Sequence, residues 1–569
     1  MKGCRSSIAL QFVVSRSGRP HPTASVRGIA TLERLREARR DGEQLGPERI
    51  AALSRDLGVP RARAVGLASY YDDLSTERSS ERHLRPCAGT ACFAATGGSH
   101  LAAVSDLAVE GGDRSASTSV QPVHCLGYCY AGPAALDGEQ ARSGSDLVEQ
   151  LSGRAKPSDP EIPFVAALNE PVVLAGLSGT ESAWQVWPQV ARAADRAAVI
   201  GAVSESQLRG RGGAGFPAAV KWNAAAEAPA SGGPRHLICN GDEGDPGAFV
   251  DRLLMERDPA RVLEGMALAA LASRSDRGHV YVRSEYPRAA AELERAITEA
   301  RAAGHLGRNV HGGGIDFDVE VFRGVGSYVA GEETSLIASM EGRRGEVRPR
   351  PPFPTSSGLD GQPTVVNNVE TLSALPWIVS RGGAAYAALG AGASRGTKVV
   401  CLSATFTHPG AYEIELGTSL REVVEGLGGG LADGEPLRAV QVGGPLGGFL
   451  APTELDVPIT FEDLLAAGVD LGHGSLIAIG ERIDPPELLA HIWGFVAAES
   501  CGACAPCRLG SARGLAAARE LAAGGDGPEY GSTLETMRAA SLCAFGRGVP
   551  GVIRSLERVY PELAGGVLG

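Results

Sequence analysis

Clustered cysteines constrain this chain more than any other feature, because eight of its eleven cysteines fall into two groups of four. The other three, Cys4, Cys239 and Cys401, stand apart from both groups. A chain of 569 residues can bury sizeable cores, so it does not need disulfides to fold. Clustered cysteines in such a chain more often bind metal than pair with each other. The sequence therefore predicts two metal centres.

The first group joins a C-x4-C pair to a C-x3-C pair. Cys87 and Cys92 form the first pair, and Cys125 and Cys129 form the second. Soft thiolates select iron–sulfur clusters or zinc. Zinc sites more often use C-x2-C spacing, so these wider spacings favour a [2Fe–2S] cluster, with zinc or unrelated cysteines as the alternatives.

The second group begins with a C-x2-C-x2-C run formed by Cys501, Cys504 and Cys507. Three thiolates at this spacing can bind three corners of a [4Fe–4S] cluster. Cys543 is the only later cysteine in the sequence and is therefore the predicted fourth ligand. Zinc and a redox thiol pair are the alternatives.

A glycine-rich segment, residues 208–222, predicts an anion site. It places Gly210, Gly212, Gly213 and Gly215 within six positions, and Lys221, one of four lysines in the chain, follows them. Glycines let backbone N–H groups approach a phosphate closely, and a helix start adds a favourable dipole. A flexible turn is the alternative, and the pattern differs from G-x-x-x-x-G-K-[ST], which disfavours an ATPase loop.

Three further segments combine turn-forming, acidic or amide residues with apolar runs: residues 239–252, 324–334 and 367–371. Such residues at the carboxyl end of a strand are typical of ligand sites in open α/β sheets. Each segment also has a plain interpretation as a surface turn or a helix cap.

The pattern along the chain predicts a multidomain α/β and α+β protein. The predicted parts are a disordered tail at residues 1–30 (a transit peptide is the alternative), a helical segment and then alternating strands and helices at 31–155, a linker at 157–163, an α/β domain at 164–390, a strand-rich domain at 391–480 and a helical domain at 481–569.

Charge and hydropathy exclude some classes of function. The formal net charge of -12 argues against a nucleic-acid partner, which requires a basic face. No run of 18 apolar residues is present, so we expect no transmembrane helix and no direct membrane insertion. No clear signal peptide precedes the clustered cysteines, which predicts a cytoplasmic protein.

These motifs resemble a known family, the flavin- and NADH-binding subunit of respiratory complex I and its soluble relatives. The resembling segments are residues 209–222, 240–252, 331–334, 351–354, 367–371 and 499–508. Residues 31–155 are similar to the family's [2Fe–2S] subunit. Fusion of the two subunits is the arrangement of the diaphorase subunits of NAD-dependent formate dehydrogenases and NAD-reducing hydrogenases.

The resemblance implies four folded parts and a set of binding residues. The parts are a thioredoxin-like [2Fe–2S] domain, an α/β domain for FMN and NAD, a β-grasp domain and a C-terminal helical bundle with [4Fe–4S]. The implied FMN-binding residues are Arg209, Gly210, Arg211, Gly212, Gly213, Lys221, Asn240, Asp242, Glu243, Gly331, Glu332, Asn367, Asn368 and Thr371. The implied NAD-binding residues are Gly215, Phe216, Asp245, Glu333, Arg350 and Phe353. No catalytic side chain is implied, because FMN carries the hydride transfer.

The implied function is an NADH dehydrogenase (diaphorase) subunit that passes electrons between NAD(H), FMN and the two clusters. It would serve an iron–sulfur-containing catalytic partner, with formate dehydrogenase expected first. The alternatives are the diaphorase of an NAD-reducing hydrogenase, the NADH-input subunit of complex I and, from a different class, a ligand-binding protein with zinc in both cysteine groups. A carboxylate at Asp245 favours NAD(H) over NADP(H), because it repels a 2′-phosphate.

Overall fold

The computed structural model describes residues 24–40, 45–74, 82–109, 118–229, 232–525 and 531–563. The predicted N-terminal helices are α1 (Ala24–Arg40), α2 (Pro47–Asp56) and α3 (Arg61–Ala68). Their buried leucines, with Leu32, Leu35 and Leu53 among them, form one apolar cluster. Residues 1–23 of the predicted tail lie outside the described residues. The predicted boundary at residue 30 is wrong, because α1 already begins at Ala24.

The next domain is a four-stranded sheet with helices. Its elements are β1 (Arg82–Pro86), α4 (Thr90–Thr96), α5 (Ser99–Val109), β2 (Thr118–Val120), β3 (Ala134–Asp137), β4 (Gln140–Ser143) and α6 (Leu147–Leu151). The strand order is β2-β1-β3-β4, with β1 and β2 parallel and the remaining pairs antiparallel. Because parallel strands end at the same edge of a sheet, the loops that follow β1 and β2 lie side by side, and Cys87 pairs with Val123 there.

The α/β domain follows a short strand, β5 (Phe164–Ala166). Its elements are α7 (Trp187–Ala193), α8 (Arg196–Ser206), α9 (Ala218–Glu227), β6 (His236–Gly241), α10 (Val250–Arg257), α11 (Pro259–Ser273), β7 (Arg277–Val282), α12 (Pro287–Ala302), β8 (Asp318–Arg323), α13 (Glu333–Met340), β9 (Thr364–Asn368), α14 (Val369–Ser373), α15 (Leu375–Arg381) and α16 (Gly383–Ala387). The sheet is entirely parallel, in the order β8-β7-β6-β9.

The central strand β6 is buried on both faces of this sheet. Leu237 and Cys239 belong to the large core cluster that includes α11, whereas Ile238 belongs to a second cluster with residues of α13. A strand covered by helices on both faces reads as a continuous apolar run in the sequence, which is what residues 237–239 show.

The elements of the strand-rich domain are β10 (Gly390–Ala391), β11 (Ser394–Arg395), β12 (Thr397–Leu402), β13 (Gly410–Glu415), β14 (Leu437–Val442), β15 (Gly448–Leu450), α17 (Phe461–Ala466) and β16 (Ser475–Gly480). Strands β10 and β11 form a separate two-stranded sheet, and the other strands form, with β5, a six-stranded sheet in the order β15-β14-β16-β12-β13-β5. The start of the α/β domain predicted at residue 164 differs from the structure, because β5 pairs with β13 of this sheet. Buried Glu413 on β13 also accepts backbone N–H groups from residues 172–174 at 2.8–3.2 Å.

The C-terminal part is helical, as predicted. It consists of α18 (Pro485–Glu499), α19 (Ala505–Ala522), α20 (Gly531–Ala540) and α21 (Ala544–Val559). Glycines on α19 allow close packing, since a Cβ at Gly514 would lie 2.4 Å from the ring of Trp493 on α18. Within the described ranges, no helix has both the length and the apolar character that a membrane crossing requires.

Candidate functional site

The carboxyl edge of the parallel sheet brings the predicted flavin residues together. Asn240 at the end of β6 pairs with Asn368 at the end of β9. The side chain of Asn368 also caps α14, because its Oδ1 accepts the N–H of Thr371 at 3.2 Å. Ligands of open α/β sheets bind at this edge, so the predicted flavin residues lie where such a ligand would bind.

The glycine loop (residues 209–215) lies against this edge. The N–H of Arg211 donates to Thr371 Oγ1 at 2.8 Å. A Cβ at Gly212 would lie 2.9 Å from Cβ of Asn368, and Gly213 has φ +104°. Both positions require glycine, the first for the close approach and the second for its backbone conformation.

Arg211 is a buried cation whose guanidinium is only partly satisfied by protein. Its side chain is 1% exposed, and Nη2 donates to the Tyr386 hydroxyl at 2.8 Å and to the Arg395 carbonyl at 2.5 Å. Its Nε and Nη1 have no hydrogen-bond partner among the described residues. Buried donors are normally paired, so these two N–H groups point to an anionic ligand.

Two of the predicted acidic residues also carry a buried polar atom that the described residues leave unsatisfied. Asp242 Oδ2 and Glu332 Oε1 have no hydrogen-bond partner in the described part of the chain. Burial, only partly offset by Arg283, raises the pKa of Asp242 well above its ordinary value. Asn240 donates to the Gly331 carbonyl at 2.8 Å, which brings these two acidic segments together. FMN would fit this set of residues, because the guanidinium would donate to its phosphate and the carboxylate oxygens would accept from its hydroxyl and ring N–H groups.

Two other predicted flavin contacts point toward protein groups. Glu243 is fully buried and accepts the N–H groups of Asp251 and Arg252 at 3.0 Å, so its carboxylate caps α10. Burial and the nearby carboxylate of Asp251 raise the pKa of Glu243 to about 7. Lys221 donates to the Val366 carbonyl at 3.1 Å and lies 3.4 Å from Glu333.

The predicted nucleotide residues lie on a more open surface. Phe216 and Phe353 are 50% and 54% exposed, which is unusual for large apolar side chains and suits rings that cover a ligand. Arg350 and Glu333 form an ion pair at 2.7 Å. Asp245 differs from these four residues in its contacts. Its Oδ1 accepts a hydrogen bond from the Tyr328 hydroxyl at 2.5 Å, and its Oδ2 lies 3.5 Å from His473 Nδ1.

The four cysteines of the first group lie together in one buried region. Cys87, Cys92, Cys125 and Cys129 are each at most 2% exposed. The sulfurs of Cys125 and Cys129 are 3.6 Å apart, and Cys125 has φ +69°. A hydrogen bond with Cys87, burial and neighbouring thiolates raise the pKa of Cys92 well above its usual range. Four thiols at such close quarters suit a small metal cluster, which deprotonates its ligands.

The acidic loop (residues 242–249) contacts both the flavin residues and this cysteine group. The Gly247 N–H donates to Cys129 Sγ at 3.1 Å, and the Asp245 carbonyl lies 3.6 Å from Cys125 Sγ. Buried Arg283 connects the two regions by donating to the carbonyls of Cys125 and Glu243 at 3.0 and 2.9 Å.

The second cysteine group lines a small pocket. The remaining pocket residues are Val329, Val347, Ser500, Gly502, Ala503, Leu542 and Phe545. Cys504 and Cys543 are the N-caps of α19 and α21, so two helix N-termini face the pocket and favour negative charge there. Four thiols in an otherwise largely apolar pocket fit an anionic iron–sulfur cluster. Cys501 and Cys504 are half-buried, which places this pocket near the surface.

Sequence reasoning missed several residues of the site. Phe461 lies 4.2 Å from the Arg209 guanidinium, and His473 lies beside Asp251, although both belong to the strand-rich domain. Neither residue stands in a recognisable motif, so only the tertiary fold could identify them. Arg283 had a usable signal, because it is a charged residue directly after the apolar run of residues 280–282.

Comparisons with known proteins identify the domains that contain these residues. Three family models match: the thioredoxin-like [2Fe-2S] ferredoxin over residues 22–145, the Nuo51 FMN-binding domain over 203–377 and the NADH-ubiquinone oxidoreductase-F iron-sulfur binding region over 487–564. The predicted FMN, [2Fe–2S] and [4Fe–4S] cofactors are thereby confirmed at the level of domains.

Individual relatives match nearly two thirds of the chain. NADP-reducing hydrogenase subunit HndC of Solidesulfovibrio fructosivorans is 42% identical over 363 residues, which are 63% of this chain and 74% of that protein. The mitochondrial NADH dehydrogenase [ubiquinone] flavoprotein 1 of Dictyostelium discoideum is 38% identical over 365 residues, 63% of this chain and 76% of the relative.

A solved structure matches nearly the whole chain. A chain of an air-oxidized NAD+-reducing [NiFe]-hydrogenase superposes with a TM-score of 0.81 at 32% identity, covering 94% of this chain and 92% of that one. This match includes the [2Fe–2S] domain together with the flavin and [4Fe–4S] domains, so it also confirms the fused arrangement. The chain therefore belongs to the family of NADH-binding flavoprotein subunits found in complex I and NAD-reducing hydrogenases.

Proposed function

We propose that this chain is the diaphorase subunit of a larger oxidoreductase, in which it exchanges hydride with NAD(H) and single electrons with a catalytic partner. One observation carries the proposal. Val329 lines the pocket of the second cysteine group, and two residues later Gly331 accepts the Asn240 hydrogen bond at the flavin edge. The predicted flavin site and the predicted [4Fe–4S] site therefore share one wall.

Each group of side chains has a distinct role in this proposal. Bound FMN supplies the exchange between two-electron and one-electron chemistry. Arg211 and the glycine loop hold its phosphate, and Asn240, Asp242 and Asn368 orient the rest of the molecule. Phe216 and Phe353 cover the nicotinamide dinucleotide and exclude water from it. The four cysteines of each group bind one cluster.

The partner would approach where the second cysteine group nears the surface. Cys501 and Cys504 are half-buried, and Leu509 in the first turns of α19 is 58% exposed. An exposed leucine beside a redox pocket suits an interface that brings a second iron–sulfur centre within electron-transfer distance. The partner we propose is an iron–sulfur-containing catalytic subunit, and we place the complex in the cytoplasm because reducing conditions preserve clustered thiolates.

Two identities of the partner are proposed. Formate dehydrogenase is the prediction from the sequence, and electron flow would then run from formate to NAD+. A hydrogenase is the second candidate, and the match to 92% of a chain of an NAD+-reducing [NiFe]-hydrogenase favours it.

The test is co-expression of this chain with the products of its neighbouring genes, followed by assays of formate-dependent and hydrogen-dependent NAD+ reduction. We expect one of the two activities, and we expect Cys501→Ala to abolish it. The matched control is Cys239→Ala, a buried cysteine outside both groups, which should retain activity. NAD+ reduction that survives in the Cys501→Ala complex would contradict the proposed electron path.

A further inference from the structure

His473 connects two domains through buried charges. It lies in the loop before β16 of the strand-rich domain and is 7% exposed. Its Nε2 is 2.9 Å from Asp251 Oδ2, and its Nδ1 is 3.5 Å from Asp245 Oδ2. Asp251 is fully buried in the first turn of α10. One imidazole therefore bridges two carboxylates of the FMN-binding domain.

The surroundings of His473 favour its protonated form. Burial alone lowers the pKa of His473, but Asp251, Asp245 and Glu243 together raise it well above its ordinary value. An imidazolium between carboxylates donates charge-assisted hydrogen bonds, which are roughly twice as strong as neutral ones.

A divalent cation is the alternative ligand for this group of side chains, because ligand atoms of Glu243, Asp251 and His473 lie within 4.8 Å of one another. The hydrogen bonds favour the proton instead. Both Glu243 oxygens already accept backbone N–H groups, and Asp251 Oδ2 accepts from Asn368 as well as from His473. A metal-bound imidazole would also have to give up a proton that the carboxylates stabilise.

The bridge reaches the flavin edge through Asn368. Asn368 Nδ2 donates to Asp251 Oδ2 at 2.6 Å and lies 3.0 Å from His473 Nε2. Because its Oδ1 caps α14, both ends of this amide are fixed. The orientation of Asn368 therefore depends on Asp251, and the position of Asp251 depends on His473.

The other end of the bridge reaches the first cysteine group. Asp245 belongs to the acidic loop, whose Gly247 N–H donates to Cys129 Sγ and whose Asp245 carbonyl lies beside Cys125 Sγ. Hydrogen bonds to cluster sulfurs influence the electronic properties of a cluster. A change in the acidic loop therefore reaches the predicted [2Fe–2S] centre.

We infer that His473 is a positioning residue, which holds Asn368 at the flavin and the acidic loop at the [2Fe–2S] cysteines at the same time. The inference rests on the proposed placement of FMN beside Asn368. His473 acts through Asp251 and Asp245, so its loss weakens flavin binding and alters the small cluster.

The test compares His473→Gln with His236→Gln in the full-length holoprotein. His236 is as buried as His473 but lies at the opposite end of β6, roughly 16 Å from the acidic loop by strand rise. Two readouts are used: fluorescence of FMN released on dilution, and EPR of the reduced clusters. For His473→Gln we expect about tenfold weaker FMN binding, the effect of one charge-assisted hydrogen bond. We also expect an altered [2Fe–2S] signal. Equal effects in both variants would overturn the inference.

A double-mutant cycle separates this inference from the placement of FMN. Asn368→Ala alone tests the placement, because unchanged FMN affinity in that variant would show that flavin does not bind there. If the placement holds, His473→Gln and Asn368→Ala should be coupled, and their combined effect should fall well short of the product of the single effects. Independent, multiplicative effects would overturn the role of His473.

Asp245→Asn keeps the inference testable if His473→Gln does not fold. The substitution neutralises one of the two bridged carboxylates, that of Asp245, whose side chain is 16% exposed. We expect a smaller change in the [2Fe–2S] EPR signal, in the same direction as for His473→Gln. An EPR signal identical to that of the wild type would contradict the inference.

Discussion

Substitution of Arg211 by methionine should weaken FMN binding far more than it weakens the fold. Arg211 is 1% exposed, and its Nε and Nη1 lack a hydrogen-bond partner among the described residues. If both donate to the flavin phosphate, two charge-assisted hydrogen bonds are lost at about 1.5–3 kcal/mol each. Part of this loss is recovered because a buried charge is removed. A net loss of about 3 kcal/mol raises the dissociation constant of FMN roughly 100-fold.

The assay is flavin occupancy after equilibrium dialysis against a series of FMN concentrations, with thermal unfolding of the flavin-free and the flavin-bound protein measured in parallel. Tyr386→Phe is the matched control, because it removes one anchor of Nη2 at 2.8 Å and leaves Nε and Nη1 in place. We expect only a few-fold change in that control. The reasoning is refuted if Arg211→Met binds FMN within threefold of wild type, or if the flavin-free Arg211→Met protein loses as much stability as the flavin-bound one.

Three further predictions test other parts of the structure. Cys543→Ala should reduce the EPR signal of the reduced [4Fe–4S] cluster, whereas Cys401→Ala should retain it, because Cys401 lies buried within β12; equal loss would contradict the ligand assignment. Asp245→Asn should raise the rate with NADPH relative to NADH in an artificial-acceptor assay, and a wild-type protein that uses both equally at subsaturating levels would contradict the role of Asp245. Burial and the neighbouring His279 lower the pKa of His236 to about 3 in the folded chain. Between about pH 6.5 and pH 3, His236 is therefore protonated in the unfolded chain and neutral in the folded chain. The free energy of unfolding should then fall as pH drops from about 6.5, by about 2 kcal/mol near pH 5, and His236→Gln should flatten this dependence in chemical denaturation.

The sequence predicts those parts of the site that depend on local chemistry. Cysteine spacing predicted both cysteine groups, and the glycine loop and the two asparagines predicted the flavin edge, because each is a short segment whose residue types serve one purpose. The order of strand-rich and helical segments likewise predicted the domain order.

Contacts between domains could not be predicted in this way. His473 and Phe461 come from the strand-rich domain, and nothing in their neighbourhood in the sequence marks them. The pairing of β5 with β13 also escaped prediction, because it joins segments more than two hundred residues apart through backbone hydrogen bonds and the buried carboxylate of Glu413. Glu243 shows a second limit, within one domain, because its motif predicted a flavin contact while its oxygens accept backbone N–H groups at the start of α10.

The most direct test of the account is cofactor analysis of anaerobically purified protein together with EPR after addition of NADH. The account predicts about six iron atoms and about one FMN per chain, and two distinct reduced-cluster signals that NADH alone produces. Zinc in place of iron, about two iron atoms per chain, or clusters that dithionite reduces but NADH does not would each contradict it.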